Sequence, residues 1–324
     1  MEHIRLIGRH IKKNGLDYFS YSGSGFEFDV EPTNKVYNIT ITLISELRDY
    51  DEQYLSIFVD DLFYRRERLV SGEHIIELSI NKKSRIRIIK DNEAYLSSIY
   101  LKDIRIDEGI ITKPVYKNRP LIGFYGDSLT CGYGLLAKSE DDFTMWSEDF
   151  TKTYAYLASF DLNMDYSIVA RSGISIALPI YVNEPFTEIY DTVDLIDKCD
   201  VSYKVDYAVI NLGANDTNYL KTYGSEHLEE DLNKFYKEFT KLVDLIIKTS
   251  KEAKFVLIYN MVGIYWPEII EQIYKVEQYI KDKYKRPVIV LKCIPNSDGA
   301  SLHPSAKAHQ ENAKLLIDAI KSLK

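Results

Sequence analysis

The sequence predicts two domains: an all-β sandwich over residues 1–113, then, after a linker at 114–120, a three-layer α/β/α unit over 121–324. Three observations carry this. The length of 324 residues exceeds what one ordinary hydrophobic core organises. From about Phe26 to Asp107, apolar and polar residues alternate and helical periodicity is scarce. Beyond Pro120, short continuous apolar runs alternate with long amphipathic stretches, the pattern of a parallel sheet covered by helices.

The sandwich strands are FEFDV, KVYNITITLIS, YLSIFVD, HIIELSI, SRIRIIKD and SIYLKDIRID. They are rich in β-branched and aromatic residues and are separated by Pro-Thr-Asn, Asp-Asp, Ser-Gly and Asn-Lys-Lys turn chemistry. GIITKPVYKNRP, a basic polar segment bracketed by Pro114 and Pro120, reads as the linker. In the second domain LIGFYG, YSIVARSG, YAVINLGAND, KFVLIYN and PVIVLKC are strands buried on both faces. HLEEDLNKFYKEFTKLVDLIIKTS is a helix on the spacing of Leu228, Leu232, Phe235, Phe239, Leu242 and Ile246. PEIIEQIYKVEQYIKDKYK and PSAKAHQENAKLLIDAIKSLK are helices opened by a proline, whose missing N–H costs nothing at a helix start.

Composition narrows the function classes. With 45% hydrophobic and 28% charged residues, the chain is an ordinary folded globular protein rather than a fibre or a disordered segment. A net charge of -8 without a basic block argues against a nucleic-acid partner. No run is long enough to span a bilayer, and the N-terminal MEHIRLIGRHIKKNG lacks the apolar centre of a signal peptide, so a cytoplasmic location is expected. Cys131, Cys199 and Cys293 are odd in number and lack metal-ligand spacing, which disfavours a disulfide framework. The 26 tyrosines suit half-buried strands and sugar-facing grooves alike.

Catalytic groups of open α/β sheets gather beyond the carboxyl ends of the strands, and four segments stand there. GDSL follows LIGFYG, and Ser128 is either a nucleophile lifted out of the sheet or a cap for the next helix. Gly126, Gly132 and Gly134 allow a tight turn around it, while Asp127 organises that turn. Thr130 stands where the Gly-x-Ser-x-Gly elbow has its last glycine. ARSGISI offers the unobstructed Gly173 amide, and NLGANDTN sets Asn215 and Asp216 beyond a strand, where an asparagine amide can meet an oxyanion. In DGASLHPSAKAH, His303 opens a helix as a base or a surface residue; His309, six residues on, faces elsewhere, against a shared metal.

Taken in order, Gly-Asp-Ser-Leu, a glycine turn, Gly-x-Asn-Asp and a C-terminal His-Pro resemble the SGNH (GDSL) hydrolase family. The segment GRHIKKNGLDYFSYSGSGFEFDV, the sandwich strands, the linker and FYGDSLTCGYG are together similar to carbohydrate esterase family 2. That resemblance implies an N-terminal jelly-roll, an SGNH catalytic domain and removal of acetyl groups from sugars, without metal or organic cofactor. It makes Ser128 the nucleophile, the Ser128 and Gly173 amides and Asn215 the oxyanion donors, and His303 the general base. Trp146, Tyr265 and Trp266 lie in loop-like stretches and are candidates for stacking on a sugar.

The pattern departs from the family at Ala300, where an aspartate three residues before the histidine is usual. Either Asp298 orients His303 in a triad, or, as the resemblance to family 2 also implies, a backbone carbonyl steadies it in a Ser-His dyad; holding a tautomer needs an acceptor near Nδ1 and not necessarily a charge. The expected partner is an acetylated carbohydrate. The alternatives are a lipase or thioesterase acting on other acyl groups, and a catalytically inactive carbohydrate-binding protein.

Overall fold

The computed structural model describes residues 3–33, 37–116, 119–201, 203–224 and 226–323. The chain forms two compact units, one of Met1–Asn118 with Val193–Cys199 and one of Arg119–Thr192 with Asp200–Lys324. Lys35 and Val36, expected to begin a strand, and Lys117 and Asn118 of the expected linker lie outside the described residues.

The first unit contains β1 (Arg5–Ile7), β2 (Ile11–Lys13), β3 (Leu16–Phe19), β4 (Gly25–Pro32), β5 (Tyr37–Leu47), β6 (Gln53–Val59), β7 (Leu62–Leu69), β8 (Gly72–Ile80), β9 (Ser84–Lys90), β10 (Ser97–Ile106) and β11 (Gly109–Thr112). One antiparallel sheet runs β1-β4-β9-β6-β7, with β11 also on β4, and the other runs β2-β3-β10-β5-β8. Strict alternation makes the sandwich: Ile39, Ile41 and Leu43 of β5 and Ile86 and Ile88 of β9 are all fully buried in one core. Each such side chain contributes about 1.5–3 kcal/mol by leaving water. The outward residues of β9 form ion pairs, Arg85 with Asp29 and Arg87 with Glu27.

Among the described residues, five strands lie outside the expected set: β1, β2 and β3, which precede the alternating stretch beginning at Phe26, and β7 and β11. β7 is LFYRRERL, whose charges mask its alternation, yet Val59 pairs with Leu62 across a two-residue turn. Asp60 and Asp61 both have positive φ, 53° and 65°, the backbone that a tight hairpin of matching twist requires. β11, read as the start of the linker stretch, pairs with Asp29–Pro32 of β4 instead.

Val193–Cys199 belongs to the sandwich unit although its neighbours in sequence belong to the other. Val193 packs fully buried with Tyr18 and Tyr100. The Tyr18 hydroxyl donates to Asp194 Oδ2 (2.9 Å) and Lys13 Nζ pairs with Asp197 (2.8 Å), so apolar and charged contacts hold the same seven residues.

The second unit is built on a five-stranded, wholly parallel sheet of β12 (Leu121–Gly126), β13 (Asp165–Ala170), β14 (Tyr207–Asn211), β15 (Lys254–Tyr259) and β16 (Val288–Lys292). All five are the strands expected from their apolar runs. Its helices are α1 (Ser128–Cys131), α2 (Tyr154–Asp161), α3 (Phe186–Ile189), α4 (Ala214–Tyr223), α5 (Leu228–Thr249), α6 (Pro267–Tyr279) and α7 (Ala306–Ser322). α2 packs on α7, and α5 on α6. The stretch expected as one helix from Pro267 ends as α6 at Tyr279 and continues as a π-helical turn, Ile280–Tyr284, in which the Tyr279 and Tyr284 hydroxyls both donate to Asp244 Oδ1 (2.7 Å each). The sheet order is β13-β12-β14-β15-β16, so the chain reverses direction between β12 and β14. A crevice opens at such a reversal, beyond the strands' carboxyl ends. Gly126 and Asn211 end those two strands, which puts the following GDSL and Gly-x-Asn-Asp segments at the crevice.

Candidate active site

β12 delivers the chain to Gly126, where a Cβ would stand 2.0 Å from Thr130 Oγ1, so only glycine lets the next turn fold back this tightly. Asp127 caps that turn: its Oδ1 accepts from the Leu129 N–H (3.0 Å). This sets aside the reading of Ser128 as the helix cap. The capping is done by Asp127, and the Ser128 hydroxyl, on the first residue of α1, is left for another partner.

That partner is His303, whose Nε2 lies 2.9 Å from Ser128 Oγ. The imidazole Nδ1 lies 3.2 Å from both the Ala300 and the Ser301 carbonyl oxygens. A carbonyl only accepts, so Nδ1 carries the proton, and the Nε2 lone pair faces the serine O–H. Burial lowers the His303 pKa below the ordinary histidine value, against the two carbonyls, which raise it. The ring is therefore neutral at pH 7.

Asp298 is not the orienting group. It is exposed, and its Oδ2 accepts from Asn296 Nδ2 (2.7 Å) while its backbone N–H donates to Asn296 Oδ1 (3.1 Å). The reason is the path of the chain. Between Asp298 and His303, Ser301 (φ 52°) and Leu302 (φ 63°) adopt left-handed backbone, curling the Ala300 and Ser301 carbonyls under the imidazole. Each such residue costs about 1–2 kcal/mol, offset by hydrogen bonds that pin the loop. Gly299 N–H donates to His303 O (2.7 Å), Ala300 N–H to Gly134 O (3.0 Å) and Ala306 N–H to Leu135 O (3.0 Å).

The last two bonds tie the histidine loop directly to the serine loop. Ala300 is fully buried, and a Cβ on Gly134 (φ +64°) would lie 2.6 Å from the Ala300 Cβ. Tyr133, between Gly132 and Gly134, lays its ring against the imidazole (centroids 4.5 Å) and stacks on Phe143 behind it (4.1 Å). Sequence reasoning did not select Tyr133. The available signal was a tyrosine set between two glycines one turn after the candidate nucleophile.

The Gly-x-Asn-Asp segment opens α4. Asn215 is buried, with Nδ2 donating to Ile174 O (2.8 Å) and lying 3.5 Å from Asp127 Oδ2. Asp216, fully buried beside it, accepts three backbone N–H groups, from Ile176, Ala177 and Leu178, each at 2.9 Å. Burial pushes its pKa up to about 6 against the lowering effect of those bonds. Gly173 heads this loop with φ +79°, and a Cβ there would meet Tyr181 Cβ at 2.9 Å. Among the described residues, neither the Ser128 nor the Gly173 backbone N–H has a protein acceptor.

Under the nucleophile turn, Thr130 Oγ1 bonds the Tyr154 hydroxyl (2.8 Å), which also accepts from Asn211 Nδ2 (3.3 Å), joining α1, α2 and β14. The aromatic candidates divide. Trp146 lies in a 3₁₀ turn with half its surface exposed (51%), open enough to meet a ligand. Tyr265 is half-buried and donates to Leu212 O (3.3 Å), while Trp266, also half-buried, stands just before α6 with its backbone N–H donating to Thr217 Oγ1 (3.5 Å).

A serine hydroxyl on a neutral imidazole at the carboxyl edge of a parallel sheet defines a class: α/β proteins carrying an acyl-hydrolase type of site. Residues 122–316 match the family of GDSL-like lipases and acylhydrolases, and the chain belongs to that family. It is 35% identical over 105 residues to the cellulase/esterase CelE of Acetivibrio thermocellus, a match spanning 29% of this chain and only 12% of that protein. A family two carbohydrate esterase from Clostridium thermocellum, solved with cellohexaose, has the same fold over 98% of both chains (TM-score 0.86, 21% identity). So has an acetyl xylan esterase from the rumen bacterium Butyrivibrio proteoclasticus, over 99% of this chain and 96% of that one (TM-score 0.83, 22% identity).

Proposed function

We propose that the protein is a serine esterase that removes O-acetyl groups from carbohydrates through a Ser128–His303 dyad. The observation that carries the hydrolytic reading is the 2.9 Å contact between Ser128 Oγ and an imidazole Nε2 whose Nδ1 proton is committed to two backbone carbonyls. His303 takes the Ser128 proton as Oγ attacks the acetyl carbonyl. The tetrahedral oxyanion rests against the Ser128 and Gly173 amides and Asn215 Nδ2. Collapse expels the sugar oxygen, which takes the proton from His303, and leaves acetyl-Ser128. His303 then takes a proton from water as that water attacks the acyl carbon; collapse breaks the bond to Ser128 Oγ, which regains its proton from His303, and acetic acid departs. Nothing in these steps calls on Asp298.

The carbohydrate part of the reading is supported by the full-length likeness to family two esterases, one holding cellohexaose, and by the exposed Trp146 ring. Ser128→Ala should abolish hydrolysis of 4-nitrophenyl acetate, and retained turnover would sink the mechanism. A panel of acetylated mono- and oligosaccharides, run beside octanoyl and palmitoyl esters, tests the substrate class. Release of acetate from the sugars with little cleavage of long chains is expected; sustained long-chain activity would favour a lipase or thioesterase.

A further inference from the structure

We infer that Asp216 is a positioning residue of the oxyanion pocket: it grips the loop after Gly173 and so holds the Gly173 amide where negative charge develops during acyl transfer. The inference rests on the Ser128–His303 reading above and adds a residue that touches neither substrate nor nucleophile.

The geometry is a clamp with two polarities. Asp216 and Asn215 are neighbours on the first turn of α4, and both are buried. Asn215 donates to the Ile174 carbonyl, whereas Asp216 takes three successive N–H groups two residues further on, Oδ2 from Ile176 and Oδ1 from Ala177 and Leu178. Ile176 and Leu178 are buried and Ala177 is half-buried, so at least two of these amides have little access to water. Without the carboxylate, the Ile176 and Leu178 N–H groups would be left buried without an acceptor, and the Ala177 N–H would lose its partner.

Such a loop would move, and what it carries is Gly173. Gly173 has left-handed backbone, and among the described residues its amide has no protein acceptor. Ile174 is thus fixed to Asn215 on one side, and the following amides to Asp216 on the other. One rigid element, the start of α4, sets both the side-chain donor and the backbone donor of the pocket. Burial keeps the carboxylate close to its protonation threshold, but around neutrality it is charged and accepts all three bonds.

The test is Asp216→Asn, which keeps the shape but presents an NH2 group where one acceptor stood. With 4-nitrophenyl acetate, and rates normalised to sites titrated by a fluorophosphonate, kcat should fall about 10- to 100-fold, less than for loss of an oxyanion donor itself, while KM stays within about twofold. Asn215→Ala and Asp216→Asn act through the same pocket, so the double variant should lie within a few fold of Asn215→Ala alone. A kcat within twofold of the parent, or losses that multiply in the double variant, would overturn the proposal. Should Asp216→Asn fail to fold, Asp216→Ser, which retains an acceptor, takes its place with the same expectations; unfolding of both assigns Asp216 to the fold alone and also overturns it. Ser128→Ala separates the two levels: activity surviving that change refutes the nucleophile, whereas activity lost there but unaffected by Asp216→Asn refutes only the clamp.

Discussion

At the scale of single residues, the imidazole is oriented without a carboxylate. The pair of carbonyls from Ala300 and Ser301 sets the tautomer, and Tyr133 closes one face of the ring. Asp298→Ala should therefore lower kcat by no more than a few fold, measured on a small acetyl ester; a loss approaching the ~10⁴ seen when a triad aspartate becomes asparagine would restore Asp298 to the mechanism. Gly134→Ala should be more harmful than a surface glycine change, because the new methyl would collide with Ala300 and push the histidine loop off the serine loop. We expect a drop in kcat of about tenfold or more, with the secondary structure unchanged by circular dichroism. Ser128, Asn215 and His303 were legible because each lies in a short motif beside a strand or helix signal. Tyr133 and the Gly134–Ala300 contact were not, since they depend on two loops meeting from positions far apart in sequence.

At the scale of elements, continuous apolar runs identified all five parallel strands, and period-3.6 spacing identified α5. α2 escaped notice because its buried residues, Tyr154, Ala155, Tyr156, Ala158 and Ser159, make too short and mixed a stripe for periodicity to reveal. Its place is set by α7. His309 of α7, fully buried, stacks on Tyr154 and accepts the Tyr154 backbone N–H on Nδ1 (3.2 Å). Burial pushes its pKa down to about 3. The unfolded chain binds this proton near pH 6.5 and the folded one does not until about 3, so the stability contribution is complete above 6.5 and lost as pH falls through that window. By pH 5 the loss is about 2 kcal/mol. Asp216 works in the opposite sense: its pKa is raised, and its contribution is present below about 4 and gone above about 6. Comparing the parent with His309→Gln isolates the histidine. The parent should lose more Tm between pH 7 and pH 5 than the variant does, and equal losses would contradict a neutral buried His309.

At the scale of the whole molecule, the division into sandwich and α/β unit follows the change of sequence pattern near Pro120, but the chain also returns to the first unit at Val193–Cys199. Nothing in DTVDLIDKCD announces this. Its short apolar stretch fits a loop of the second unit equally well, and it is the packing of Val193 on Tyr18 and Tyr100, with the Tyr18–Asp194 and Lys13–Asp197 bonds, that distinguishes the two. A fragment of residues 119–324 would leave Val193 without Tyr18 and Tyr100, and Asp194 without Tyr18. Such a fragment should melt at lower temperature than the α/β transition of the full chain and expose segment 193–199 to protease, as mass spectrometry of early cleavage products would show. A fragment as stable as the intact protein would mean that this excursion contributes little.

What the sequence determined by itself was local in cause: alternation made the sandwich strands, apolar runs made the parallel sheet, and glycines with Asp127 made the nucleophile turn. What the tertiary structure decided was which groups meet. The carbonyls of Ala300 and Ser301 take the place expected of Asp298, Tyr133 flanks the imidazole, and Asp216 clamps the Gly173 loop, because these contacts arise from left-handed turns and loop-to-loop hydrogen bonds whose partners lie tens to more than a hundred residues apart. Periodicity and spacing record what each segment prefers, whereas the orientation of the His303 ring is a property of the space between segments.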